Sequence, residues 1–327
     1  MTIVDFHNHV YPQEYVEAIQ VGPSAYQVTF DASNNPVLHS PGDFNVAVPA
    51  HRLIDFRKTV LREVGIDKQV ISLTTPGTLI ETVERSVELS RLVNDSFAKI
   101  QKEHREHFIA LATLPLNDPA ASVVELERAI TKLELKGATL FSNANGTPLS
   151  DRRFWPLYEK ANALGVVFFI HPTYPVGVEA MMDYMLMPLV GFLADTTLAA
   201  ASLVFSGVVE RFPNIQWVLG HLGGAIPFLA ERLDRGYEVY KQCRENINQP
   251  PSEYLKKNFY YDTVNFDVKA LQLAIEFAGP GHLVAGSDYP HQIGSLEKML
   301  ASIRQLQITP EEEADILGGN AVRLLRL

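Results

Sequence analysis

Cysteine is almost absent from the chain. The single Cys243 in 327 residues excludes an intrachain disulfide and any thiolate metal site. Runs of lysine or arginine are absent too, and the formal net charge is −10. Both features argue against nucleic acid as a partner, because phosphate binding needs a basic face. A small anionic substrate stays open, since a few arginines inside a cleft outweigh a mildly acidic surface. No apolar stretch approaches the length of a membrane span. The N-terminus carries Asp5 and lacks a basic segment ahead of its apolar run, so it does not read as a signal peptide. A cytoplasmic enzyme with no membrane partner is the expectation. Gly/Ser linkers and short-period repeats are also missing, and a single domain is expected over 1–327.

What is present is a rhythm. Hydrophobic residues make up 46 % and charged residues 20 %, enough for a sizeable core. Short β-branched or apolar runs recur at 3–10, 68–74, 107–115, 137–142, 166–172, 215–223, 258–264 and 282–290. Segments with helical spacing separate them, such as DPAASVVELERAITKLEL and LAERLDRGYEVYKQ. Strands alternating with helices imply parallel pairing through βαβ crossovers. Eight such units predict an α/β fold of the (β/α)8 TIM-barrel type, with a doubly wound open sheet as the alternative. Two stretches break the rhythm. Residues 11–50 form a Pro/Asn/Gly-bearing insertion after the first strand, and 173–205, with its MMDYMLMP run, form another after the fifth. In a barrel both lie on the face where active sites are built. The closing TPEEEADILGGNAVRLLRL, with its Thr, Pro and acidic first turn, predicts a C-terminal helix.

The first strand reads VDFHNHV. Alternation places Asp5, His7 and His9 on one face and Val4, Phe6 and Val10 on the other. Polar groups in a row on a buried face need partners. Two hydrogen-bonded core histidines satisfy that need, and so does a divalent cation held by neutral imidazoles. The other strand ends favour the cation. FFIHP puts His171 at the end of strand five, VLGHLGG puts His221 after strand six, and AGSDYP puts Asp288 after strand eight. Nitrogen and carboxylate donors without thiolate suit Zn²⁺, Mn²⁺, Fe²⁺ or Co²⁺ in an open coordination sphere.

This ordered set resembles the amidohydrolase superfamily. More closely, DFHNHVYP, FFIHP, the stretch from PLVGFLADTT to GHLGGAIPF, GSDYP and ILGGNAVRLL resemble the branch with aminocarboxymuconate-semialdehyde decarboxylase and metal-dependent benzoate-type decarboxylases. The resemblance implies one divalent ion, Zn²⁺ or else Mn²⁺, held by His7, His9, His171 and Asp288, with His221 and Asp288 as acid and base. Dinuclear relatives use a lysine at the end of strand four. Here Lys136 precedes that strand and Ser142 and Asn143 end it, so one metal is expected.

The same resemblance implies that Arg57 grips a substrate carboxylate, and that Arg232 is lent to the neighbouring subunit of a homodimer or larger oligomer. A plainer reading makes Arg57 a solvated helix residue and Arg232 half of a surface ion pair. Met185 stands where the muconate-semialdehyde enzyme has a tryptophan, and His291 where an aromatic ring is usual, which separates this substrate from that one. Either residue can line the pocket or simply pack in it. His51, His39, His104, His107 and His282 read as structural or solvated. Gly223 and Gly224 are expected to form a tight turn beside the metal. The function that follows is non-oxidative decarboxylation of an aromatic or unsaturated carboxylic acid. A hydrolase or hydratase acting on a lactone, ester, amide or enol acid is the alternative.

Overall fold

The computed structural model describes residues 2–22, 24–40 and 43–327. Every one of the eight apolar runs contains a strand. The first three are Val4–His9, Lys68–Ser72 and Phe108–Ala110, the last continuing through Ala112–Thr113. Ala138–Phe141, Val167–His171, Gln216–Leu219, Phe259–Asp262 and Leu283–Val284 follow. Each pairs in parallel with its neighbours. The last stretch returns to the first, because Phe6 N–H donates to Ala285 O at 2.7 Å and His9 N–H to Tyr289 O at 2.8 Å. The strand order runs round to its own start, which selects the (β/α)8 barrel over an open sheet.

The outer helices begin and end where local chemistry says they should. Thr82, Asp118, Asp267 and Ser295 each accept a backbone N–H of the first turn of the helix they precede. Gly65 and Gly165 end helices in the left-handed conformation. In the helix Val83–Glu103, Leu89, Val93 and Phe97 recur every four residues and are all fully buried against the strands. The C-terminal segment opens with a Thr309–Glu312 capping box, and its last turns push Ala321, Leu324 and Leu325 into the foot of the barrel. Val4, Phe6, Val70, Phe169 and Val218 fill the barrel above them.

That filling corrects the simple alternation expected of VDFHNHV. The register of the first strand shifts between Asp5 and Asn8. Phe6 and His7 consequently both touch Phe169, with ring centroids 5.8 and 4.9 Å away. Asp5 instead bonds Gln69 Nε2 at 2.8 Å and Ser287 Oγ at 2.7 Å, beside the helix layer. The bulge lets one short strand supply core, two site histidines and an outward carboxylate.

Residues 11–50 are more ordered than an excursion. They contain the helix Gln13–Val21 and an antiparallel sheet of Gln27–Phe30, Pro36–Ser40 and Asp43–Val46. The short turn Pro49–Arg52 then leads back to the barrel. Beyond the fifth strand, 187–205 form one helical rod of a π turn and an α-helix. By length and composition it qualifies as a membrane span, contrary to the expectation that no stretch approaches one. One face of it packs on the protein, where Ala199, Ala200, Leu203 and Val204 are buried, while Leu189, Val190 and Leu198 stay exposed.

Candidate metal centre

His7, His9, His171 and Asp288 meet at the carboxyl ends of strands one, five and eight. Their ligand atoms all lie within 4.8 Å of one another, and all four side chains are buried. His7 Nε2 is 3.0 Å from His9 Nε2. Asp288 Oδ1 is 3.3 Å from the first and 3.2 Å from the second.

Each histidine has its other nitrogen committed. His7 Nδ1 donates to Asp262 Oδ2 at 2.5 Å, and His9 Nδ1 to Ser72 Oγ at 3.2 Å. Ser72 Oγ in turn donates to Asn8 O at 3.1 Å, which leaves it an acceptor for His9. His171 Nδ1 donates to Pro172 O at 2.8 Å. These bonds fix the tautomers and turn three Nε2 lone pairs toward one point. Lone pairs that close repel unless a cation lies between them, so the donor set fits a divalent metal ion.

The electrostatics agree. Burial alone would depress His7, but the Asp262 and Asp288 carboxylates reverse it and push its pKa up to about 10. Positive charge is what this position favours. Burial holds His9 and His171 well below the usual imidazole range, in the neutral form a metal binds. Burial also works against ionised Asp288, yet the imidazoles of His221, His7 and His9 beside it keep it well below the ordinary carboxylate range.

His221 stands at the edge of the cluster, with Nε2 3.6 Å from Asp288 Oδ2 and its ring 5.0 Å from that of His7. Its φ is +54° and that of Asp288 is +57°, left-handed values uncommon for residues with a side chain. Asp262 holds the first of these turns in place. Its Oδ2 accepts His221 N–H at 3.0 Å, and its Oδ1 accepts Leu222 N–H at 2.8 Å and Val264 N–H at 3.0 Å. Gly224 follows at φ +62°, where a Cβ would lie 2.2 Å from Leu193 O. Only glycine fits that turn.

In front of Asp288 and His221 opens a cavity of about 460 Å³, and Met185 and His291 line it. The His291 ring lies 5.0 Å from that of His9. At the end of strand four, Ser142 and Asn143 both donate to Asp195, and Lys136 is exposed at the other end of that strand. Among the described residues no lysine reaches the cluster.

Two expected residues lie elsewhere. Arg57 is fully buried behind the site, not in it. Its guanidinium donates to Asn8 Oδ1 at 2.8 Å, Gln69 Oε1 at 3.0 Å, His9 O at 2.5 Å and Ala50 O at 3.0 Å. It also stacks 4.9 Å over the Tyr289 ring. Four of the five N–H donors of Arg57 are thus engaged inside the protein, and the residue is absent from the cavity lining, so neither the carboxylate grip nor the solvated reading survives. Arg232 is exposed on the helix Ile226–Val239, outside the cavity lining and with no ion pair among the described residues.

Sequence reasoning did not name Asp262 and gave His51 no place at the site. Asp262 carried a signal, a lone acid at the end of strand seven in YYDTV. His51, read as structural, is buried in the cavity wall with its ring 5.2 Å from that of His291. Its only signal was a place at the end of the first insertion.

A barrel with three histidines and an aspartate converging at its carboxyl end is a metal-dependent enzyme scaffold. The chain belongs to the amidohydrolase family, which it matches over residues 4–327. It is 34 % identical over 278 residues to 2-amino-3-carboxymuconate-6-semialdehyde decarboxylase of Dictyostelium discoideum, covering 84 % of this chain and 76 % of that one. Its structure matches 5-carboxyvanillate decarboxylase of Sphingomonas paucimobilis with TM-score 0.87 and 28 % identity, over 100 % and 99 % of the two chains. It shares the fold of a dihydroxybenzoic acid decarboxylase of Polaromonas, solved with manganese and 2-nitroresorcinol, at TM-score 0.82 and 23 % identity over 100 % and 97 %.

Proposed function

We propose that the protein is a metal-dependent, non-oxidative decarboxylase of an aromatic or unsaturated carboxylic acid. The observation that carries this reading is the four-ligand cluster with Asp288 and His221 at the floor of an apolar-walled cavity. The decarboxylases among its relatives support it. A divalent ion at the cluster lowers the pKa of water and polarises substrate oxygens. Zn²⁺ suits three imidazoles and one carboxylate, and the manganese of the Polaromonas enzyme keeps Mn²⁺ as the other choice.

The chain's own groups then move the proton. Asp288 rests ionised with Oδ2 facing His221, and it is placed to take a proton from water and pass it to the ring or alkene carbon that bears the carboxylate. The bond from that carbon to the carboxyl group breaks, CO₂ leaves, and its electron pair restores the π system. His221 steadies negative charge on substrate oxygen while this happens. We further propose a homodimer in which Arg232 serves the neighbour's substrate carboxylate, supported by its exposure and lack of an ion pair among the described residues.

The test is mass spectrometry on metal-reconstituted protein incubated with hydroxybenzoates, carboxymuconates and lactone acids. Chelator-sensitive loss of CO₂ is expected. Gain of water would replace decarboxylation with the hydrolase or hydratase reading.

A further inference from the structure

The lining of the cavity contains no arginine and no lysine among the described residues. Met185, Leu189, Phe192, Val264, Phe266 and Ile293 make it largely apolar. Beyond the metal cluster, its most demanding polar group is His51. The residue is 2 % exposed, and neither ring nitrogen has a hydrogen-bond partner among the described residues. Its position is fixed: Tyr11 N–H donates to His51 O at 3.0 Å, and His51 N–H to Val48 O at 2.9 Å. The Tyr11 and His291 rings flank the imidazole at 5.0 and 5.2 Å. Buried polar atoms in native proteins nearly always find partners, so an imidazole in a cavity wall with two bare nitrogens points to a partner that enters the cavity.

The chemistry of that partner can be narrowed. Burial keeps His51 well below the usual imidazole range, hence neutral at pH 7. A neutral imidazole offers one donor and one acceptor. A hydroxyl group, itself donor and acceptor, matches it. A carboxylate is acceptor-only and needs a cation or several donors when buried, and this wall supplies neither. Two ring contacts, His51 to His291 and His291 to His9, separate the imidazole from the metal ligands, so both ends of one small aromatic molecule fall within reach.

We propose that His51 is a substrate-reading residue that hydrogen-bonds a phenolic hydroxyl on an aromatic acid whose only carboxylate lies at the metal cluster. The proposal rests on the decarboxylase reading for the placement of that carboxylate. It makes the first insertion a specificity element, since the insertion delivers His51 to the wall through the turn Pro49–Arg52.

The experiment compares metal-loaded wild type with His51→Phe and His51→Gln on benzoate, its 2-, 3- and 4-hydroxy derivatives, and benzene-1,3-dicarboxylate. Calorimetric titration gives Kd and headspace analysis gives CO₂ release. Wild type is expected to prefer at least one hydroxybenzoate over benzoate by about 10- to 100-fold, the worth of one buried hydrogen bond. The dicarboxylate is expected to bind more weakly than either. Phe keeps a ring without nitrogens and is expected to erase the preference, while Gln, whose amide nitrogen overlays Nε2, restores part of it.

A preference unchanged in His51→Phe overturns the proposal, as would be found if a trapped water satisfied the imidazole. Equal binding of the dicarboxylate overturns it too. If the Phe variant does not fold, Gln and Asn mimic Nε2 and Nδ1 in turn, and identical wild-type ratios in both overturn it. Preference lost in His51→Phe with no CO₂ from any acid sinks the decarboxylase reading alone. CO₂ release with the preference intact sinks only the role of His51.

Discussion

His7 Nδ1 lies 2.5 Å from Asp262 Oδ2, and the same oxygen accepts the backbone N–H of His221 at 3.0 Å. One buried carboxylate thus sets the tautomer of a strand-one histidine of the cluster and the left-handed turn that presents His221 after strand six. Asp262→Asn keeps the shape but removes the charge that favours a cation at His7. Metal affinity is expected to fall by about 10- to 100-fold, as for other partners of ligating histidines. Competition with a chromophoric chelator measures this. Unchanged affinity would reduce Asp262 to a turn-former.

His221 and the four ligands should separate by readout. His171→Ala and Asp288→Ala are expected to lose stoichiometric metal by elemental mass spectrometry. His221→Ala is expected to retain it while turnover drops by about 10²- to 10⁴-fold, the usual worth of a positioned acid or base. Metal retained in both ligand variants would refute the ligand set. Full turnover in His221→Ala would remove that residue from the chemistry.

Arg57 gives a sharper contrast, because its expected and observed roles predict opposite results. Arg57→Met strands Asn8 Oδ1, Gln69 Oε1, His9 O and Ala50 O, all now partnered by the guanidinium. Leaving buried acceptors unmet costs about 1–3 kcal/mol each, so a loss of at least about 2 kcal/mol is expected in urea unfolding. A substrate-gripping arginine would instead raise KM with stability unchanged.

The ligand set was legible because it depends on local facts. A histidine or aspartate at the end of an apolar run sits on the carboxyl face of a barrel whatever else the chain does, and FFIHP, VLGHLGG and GSDYP each carry that information. What was not legible depends on contacts far apart in sequence. The inward turn of both Phe6 and His7 requires a bulge that strand alternation cannot announce. Arg57 looks solvent-facing in HRLIDFRKT until Asn8, Gln69 and Ala50 close round it. His51 gains its meaning only when Tyr11 and His291 wall it in, and neither is near it in sequence. The apolar rod at 187–205 shows the converse, since its composition alone suits a membrane span while 44 % of its apolar window packs inside the protein.

The proposed loan of Arg232 is checked by mixing subunits. Arg232→Ala and His221→Ala proteins, each inactive alone, should recover part of the activity when combined, because one site of a mixed dimer keeps both residues. No recovery in mixed dimers verified by mass would confine Arg232 to the surface.

Asp195 supplies a test by pH that stays clear of the metal ligands. Burial raises its pKa above the ordinary 3.8, although hydrogen bonds from Ser142 and Asn143 pull the other way. A carboxyl raised in the folded state favours folding while it is protonated. Its contribution is complete below the unfolded value and is lost as pH rises through the folded one. Asp195→Asn keeps an oxygen acceptor for Ser142 and Asn143 and cannot ionise. The stability of wild type relative to this variant should therefore decline as pH is raised from about 3, then level off above the folded pKa. Urea midpoints taken across that range give the difference directly. A wild type that instead gains on the variant with rising pH would mean that the two hydrogen bonds outweigh burial. Asp195 would then act as an ionised anchor for the end of strand four.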